Sequence, residues 1–391
     1  MTTTIERTLR SRDKTLLEYA TALWSTLLAV TGLWWSINPA GYPLGQDSDT
    51  AEMSLVAWIP VAVTAPLMIG VGLAGLFAAL AMQRHQPSPL VRRLLTFVAL
   101  GLAVLFLLVV PDLRILTTMG YLCAIVGPVF VLGLIGAGMR KNPRNGILLG
   151  ALGVAIGVAF WVFDVDLTIF ADFGRGLGQG LARSGPGMLA VTAAFVGGGL
   201  WLTTLLRFRR RERDQCLSCG RPGAAWMTAE ATRRWGTWVT VAAALGPLPY
   251  GLTRMTWFTP WPFMLDHAEL VANPALRVFG LCLGLAAIGG SVLTLGLIRP
   301  WGAVFPRWLP LVRGAVVPVL PPTVVALMVA ASVTIAGRSM VQQLFVGDGM
   351  GLDGVEMLLI FPFPVWGPLL GAAAIAYYLR RRGSCAHCRL G

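Results

Sequence analysis

Charge is scarce in this chain. Only 13% of its 391 residues are Asp, Glu, Lys or Arg, against 56% hydrophobic residues and a mean hydropathy of +0.70. A soluble domain of this length needs a more charged surface, so a soluble globular fold is excluded. Histidine is scarcer still, with three residues, His85, His267 and His387. No histidine pair falls within an apolar stretch to ligate haem. The sequence also lacks HExxH, G-x-S-x-G, a P-loop and a paired-aspartate motif for diphosphate chemistry. No catalytic set is visible, which weighs against an enzyme.

What the chain has instead is apolar runs of roughly 18–25 residues, the length that crosses a bilayer. Spans are predicted at Leu17–Ile37, Leu55–Met82, Leu94–Val110, Ile115–Met139, Gly146–Phe163 and Met188–Leu206. Four more follow at Gly236–Trp257, Ala275–Ile298, Gly314–Ala336 and Met357–Leu379. The expected fold is an all-α integral membrane protein of about ten transmembrane helices. The run after Phe163, with Gly174, Gly176, Gly178 and Gly180, reads as a flexible outer connector.

The net charge of +13 follows topology. Arginines cluster in alternate loops, whereas Asp47, Asp49, Asp164, Asp166, Asp266, Glu269, Asp348 and Asp353 fall in the others. By the positive-inside rule both termini are cytoplasmic, in a bacterial plasma membrane. The basic clusters then face anionic lipid headgroups, and nucleic acid is not an expected partner. This topology sets His85 and His267 on opposite sides, so they form no common metal site. The polar N-terminus leads into a full-length span without a small-residue cleavage site, and reads as a retained tail.

Four of the six cysteines carry the sharpest signal. Cys216 and Cys219 follow the arginine-rich run RFRRRERDQ, and Cys385 and Cys388 follow LRRRGS. Two Cys-x-x-Cys knuckles supply four thiolates, the donor set of a structural Cys₄ zinc site. A reducing compartment disfavours disulfides there, and the neighbouring arginines are expected to lower the thiol pKa values. His387 lies inside the second knuckle, where four cysteines leave it no coordination position. Cys123 and Cys282 read as small core residues of apolar helices.

The repeated ending implies a duplication. GLWWSINPAGYPLG resembles GLTRMTWFTPWPFML, and QPSPLVRRL resembles PRWLPLVRG. The predicted organisation is a first half at 1–206 and an arginine-rich cytoplasmic linker with the first knuckle at 207–235. A second half at 236–379 and a cytoplasmic tail with the second knuckle at 380–391 complete it. The halves are parallel, related by an axis along the membrane normal, and spans four and five form an inserted hairpin in the first.

A second constellation surrounds Arg254. Gly246, Pro247, Pro249 and Gly251 predict a broken helix whose freed carbonyls need partners or a wet cavity. A charge at that depth needs a partner too, and Asp266, His267 and Glu269 in the next loop are candidates. Arg254, Asp266, His267 and Glu269 are therefore the predicted mouth of a solute site. Prolines in the last two predicted spans add mild support. The PYGLTRMTW…P run and the arginine–cysteine endings resemble multi-pass membrane proteins of actinobacteria. That resemblance implies a multi-pass fold and no particular activity.

Three functions fit this reading. The preferred one is a permease-like protein that takes a small solute from the outer face. The alternative is a non-transporting scaffold or sensory subunit whose knuckle docks a protein partner. The third is an enzyme acting on lipid-linked material beside Arg254.

Overall fold

The computed structural model describes residues 2–46, 48, 51–83, 87–122, 150–151, 154, 158, 168–307, 313–346 and 351–390. The predicted spans Ile115–Met139 and Gly146–Phe163, and with them the inserted hairpin and Cys123, lie largely outside the described residues. So do Asp47, Asp49, His85, Asp164, Asp166 and Asp348. Among the described residues the chain is helical throughout, and its one β-contact is an isolated antiparallel bridge between Val304 and Val316. Among the described residues seven helices are long and apolar enough to cross a membrane, and at most 39% of any one's most apolar window is buried within the protein. Helices this apolar with this little internal burial face an apolar solvent, which is the character of membrane spans.

The chain forms two compact units. The first comprises residues 1–115, 184–224 and 383–391, and the second residues 116–183 and 225–382.

In the first unit α1 (Thr2–Ile37), α2 (Val61–Met82), α3 (Pro89–Val104) and the later part of α4 (Thr168–Glu212) pack together. Without a hydrophobic force between helices in lipid, association depends on close approach over small residues. Gly72 meets the α1 backbone at Ser25 and Ala29, and Gly197 lies against the Trp24 ring. Gly198 lies against the backbone at Phe106 and Leu107, where α3 passes into a short π-helical stretch, Leu105–Val109. Around the buried Trp201, the Thr21 and Thr204 hydroxyls hydrogen-bond at 2.9 Å and Trp24 Nε1 donates to the Ala193 carbonyl. At the end of α4, Arg211 pairs with Glu18 at 3.2 Å and donates to the Met82 carbonyl that closes α2.

The second unit contains α5 (Ala229–Leu245), α6 (Leu248–Thr256), α7 (His267–Ala272), α8 (Pro274–Gly296), α9 (Leu320–Val346), α10 (Gly351–Ile360) and α11 (Phe363–Arg381). Its core is Ala243, Leu297, Ala330, Leu370, Ala373 and Tyr377. Gly367 meets the α9 backbone at Ala330 and Thr334, and Gly236 meets Ala376. Arg380, near the end of α11, donates to the carbonyl of Leu297, the residue that caps α8.

Several features differ from the sequence reading. The glycines at 174, 176, 178 and 180 lie within α4 and form no loop. Glycine weakens a helix by only about 1 kcal/mol relative to alanine, and an apolar setting penalises open backbone more heavily. The span predicted at Gly314–Ala336 instead starts at Leu320, with Pro321 and Pro322 in its first turn, and carries Arg338 inside the helix. Proline is tolerated there because the first turn's N–H groups have no partner anyway. The last predicted span is divided at Phe361–Pro362. Cys282, expected as a core residue, is exposed on α8.

A candidate metal centre and a broken helix

After Glu212 the α4 backbone leaves the helix through Asp214 at φ 50°, and Gln215 N–H donates back to Arg210 O. The first knuckle follows at once. Cys216 N–H donates to Arg221 O at 2.8 Å, and Gly220 N–H returns to Cys216 O at 2.7 Å. Gly220 has φ 72°, a conformation that suits glycine, and a Cβ there would meet the Arg210 guanidinium. The second knuckle repeats this pattern. Cys385 N–H donates to Leu390 O at 3.0 Å, Arg389 N–H donates to Cys385 O at 2.8 Å, and Arg389 takes φ 59°. Each bond in one knuckle has its counterpart 169 positions later in the other.

Both knuckles belong to the first unit, and there they face each other. Cys216 Sγ lies 3.9 Å from Cys385 Sγ, and Cys219 Sγ lies 3.5 Å from Cys388 Sγ. All four sulfurs lie within 4.8 Å of one another, close enough to hold one metal ion. A tetrahedral ion with metal–sulfur bonds of about 2.3 Å sets its sulfurs about 3.8 Å apart, so the set needs only small adjustments to fit. Four protein ligands would close the shell of a bound ion, the arrangement found in structural rather than catalytic sites.

Arg221 ties the knuckles together. It stands just after the first and donates to the Gly383 and Leu390 carbonyls that bracket the second. Arg210 reaches the Leu217 carbonyl from below. Sequence reasoning missed these roles because an arginine beside a cysteine reads as a charge, whereas here it works as a hydrogen-bond donor to backbone.

The thiols do not respond to the arginines as expected. The Cys388 and His387 amides hold the Cys385 thiol well down, to about 6, and the His387 N–H donates to its sulfur at 3.4 Å. At Cys216 burial acts to raise the value, but the Cys219 and Ser218 amides leave it lowered. Burial, together with the neighbouring thiols, pushes Cys219 up to about 12. The amide N–H groups of the knuckles, then, lower these values, while burial and crowded sulfurs raise one. His387 itself is exposed.

The predicted outer constellation is placed as follows. α5 ends at Leu245, Gly246 and Pro247 keep near-helical dihedrals, and α6 resumes at Leu248, so the predicted span Gly236–Trp257 is interrupted where the prolines forbid hydrogen bonds. Arg254 is half-buried on α6, its guanidinium 3.9 Å from the centre of the Trp257 ring and 5.0 Å from that of Tyr250. Asp266 caps α7 by position without a side-chain bond, and His267 and Glu269 occupy its first turn. All three are exposed. Among the described residues no hydrogen bond or ion pair joins them to Arg254, whose partners are aromatic faces. Gly251 and Gly284 let α6 and α8 approach closely beside Arg254.

Comparison with protein-family models, curated proteins and solved structures gave no match to this chain.

Proposed function

We propose that this chain is a multi-pass plasma-membrane protein stapled on its cytoplasmic side by a structural zinc ion on Cys216, Cys219, Cys385 and Cys388. The observation that carries the reading is the approach of four sulfurs, all within 4.8 Å of one another, from two segments 169 residues apart. Zinc is the expected occupant because it favours four thiolates in tetrahedral geometry and is redox-inert. Iron accepts the same donor set and is the rival. The ion's role is to hold residues 383–391 against residues 184–224, so its binding free energy becomes folding free energy of the first unit.

The chain consists of two parallel halves in this reading, a proposal supported by the matching bonds of the two knuckles. The Arg211–Met82 and Arg380–Leu297 contacts support it as well. Both termini lie in the cytoplasm, and the arginine clusters are its topology signals.

The decisive experiment is elemental analysis of freshly purified protein, wild type against Cys385→Ser/Cys388→Ser. One zinc per chain, lost in the variant together with thermal stability, supports the staple. Iron with visible charge-transfer absorption would replace zinc by iron. No metal in reduced protein would overturn the metal reading altogether.

A second reading, handling of a small solute from the outer face, is favoured by one observation. Arg254 lies half-buried in the last turn of α6 and, among the described residues, has no carboxylate partner. An anionic or zwitterionic solute would supply that partner, with Asp266, His267 and Glu269 at the rim. Uptake into vesicles that survives Arg254→Ala unchanged would remove this reading and leave the scaffold role.

A further inference from the structure

The second unit contains a cavity of about 560 Å³ that neither the metal centre nor the Arg254 site explains. Its polar lining is Arg233, Arg299, Arg380, Arg381, Thr237 and Tyr377, with no carboxylate among them. Two of the guanidiniums are held in place by neutral acceptors. Arg380 donates to Leu297 O, and Arg381 donates to Gly302 O and the Tyr377 hydroxyl. Those bonds fix geometry and leave the charge uncompensated. Arg233 and Arg299 are exposed, and among the described residues their side chains make no hydrogen bond or ion pair. The nearest acid on α5, Glu230, is already paired with Arg234 at 2.8 Å.

Four converging positive charges around one cavity call for an anion, and the surroundings say which kind. The cavity sits at the ends of two apolar spans, Leu276–Gly296 and Glu356–Arg381, and Leu297 and Ile298 form part of its wall. One turn away, Leu293 is 69% exposed, and Trp238, beside Thr237, is 79% exposed. A ligand seated here meets guanidiniums at one end and bare apolar side chains at the other. The first unit offers a contrast. Its own arginine-lined cavity, of about 430 Å³, includes Glu212, which pairs with Arg92 at 3.5 Å and supplies an internal counter-charge.

We propose that the Arg233–Arg299–Arg380–Arg381 cavity binds the phosphate of an anionic phospholipid whose acyl chains lie along the apolar surface of α5 and α8. The proposal rests on the membrane-protein reading. Carbonate extraction tests that reading separately, because release of the chain into the aqueous fraction would refute it without reference to any lipid. Free phosphate shares the headgroup's chemistry, and the experiment separates the two.

The full chain is reconstituted with equal phosphatidylglycerol and phosphatidylcholine and re-extracted in neutral detergent. The retained lipid is then quantified by mass spectrometry. Phosphatidylglycerol is expected to be retained in preference, and Arg233→Gln/Arg299→Gln to weaken that retention roughly 30-fold, at about fivefold per arginine. Arg92→Gln/Arg213→Gln, in the cavity with the internal carboxylate, is expected to have a smaller effect. Raising salt should weaken retention by the wild type, a readout that holds even if a variant folds poorly. Equal retention of the two lipids, indifference to salt, or an unchanged double variant would each overturn the proposal. So would displacement of phosphatidylglycerol by millimolar inorganic phosphate, which would make this a site for a free anion.

Discussion

Arg211 and Arg380 do the same thing in different units. Each stands five residues before the first cysteine of a knuckle, and each donates to a carbonyl at the end of an apolar helix, Met82 for one and Leu297 for the other. The last carbonyls of a helix have no partner within it, and in an apolar setting they must find one. An arginine at the end of the neighbouring helix supplies it and brings positive charge to the negative end of the helix dipole.

Arg211 also pairs with the buried Glu18, so the two arginines should differ in their consequences. Arg211→Ala leaves Glu18 without its partner and should destabilise the protein by about 2 kcal/mol, allowing for the partial exposure of Arg211. Glu18→Gln/Arg211→Gln should recover much of that loss. A thermal-denaturation cycle in detergent measures the difference, and additive effects of the two single changes would contradict the coupling.

Arg221→Ala should loosen the metal without removing a ligand. It deletes hydrogen bonds to Gly383 and Leu390 across the two knuckles, together worth about 2 kcal/mol. Zinc transfer to a chromophoric chelator should then be about 30-fold faster than in wild type. An unchanged rate would mean that Arg221 does not brace the centre.

Acid should release the ion. A metal takes four thiolates, so binding expels protons, above all from Cys219, and affinity falls as pH falls. The Cys385 group acts in the same direction. Held below its ordinary value of 9, it contributes stability that is complete above that value and lost as pH falls through about 6. The raised Cys219 thiol contributes oppositely, its share being lost as pH rises towards about 12, outside the acid range. Zinc content after dialysis should therefore be full at about pH 8 and fall between about pH 7 and pH 5. Retention that improved towards acid would refute a thiolate site.

Two kinds of glycine can be told apart by substitution. A Cβ on Gly198 would lie 2.7 Å from backbone atoms of Phe106 and Leu107, and relieving it should cost about 1–3 kcal/mol. A Cβ on Gly176 meets nothing within 4 Å. Gly176→Ala should therefore be neutral or stabilise by up to about 1 kcal/mol, because the position is helical. Thermal unfolding of both variants checks this, and marked destabilisation by Gly176→Ala would argue against helix there.

Arg389→Gly tests the likeness of the knuckles. Arg389 occupies the left-handed conformation that Gly220 fills in the first knuckle. Glycine there should raise stability by up to about 1 kcal/mol with zinc content unchanged, whereas Gly220→Val should impair metal binding. The reverse pattern would separate the two motifs.

What could be read from the sequence was what local chemistry determines. Four thiols at knuckle spacing have few uses, so Cys216, Cys219, Cys385 and Cys388 identified their own site. Long apolar runs likewise declared most of the spans. Proline positions announced the break after Leu245 but not its form, because Gly246 and Pro247 stay near-helical. The glycines of α4 misled because their cost in water is a poor guide to an environment that penalises unbonded backbone. Arg254 was expected at a depth where a charge needs a partner, and the structure places it half-buried among aromatic rings and apart from the expected carboxylates. Its aromatic partners could not be anticipated, since Tyr250 and Trp257 at one-turn spacing read as interfacial residues.

The order of the chain gives the metal centre a temporal dimension. The residues that complete the first unit, 383–391, come after all the helices of the second. Once Cys216 and Cys219 have been made, the ribosome must add another 169 residues before Cys385 and Cys388 can meet them. At ordinary elongation speeds that interval is roughly 10–30 s. Throughout it the nascent protein carries an unfinished pair of thiols, while the helices of the second unit are still being made. On the proposed metal reading, ion capture is thus a closing step in biogenesis, one that a chain stalled or cleaved within the second unit cannot reach.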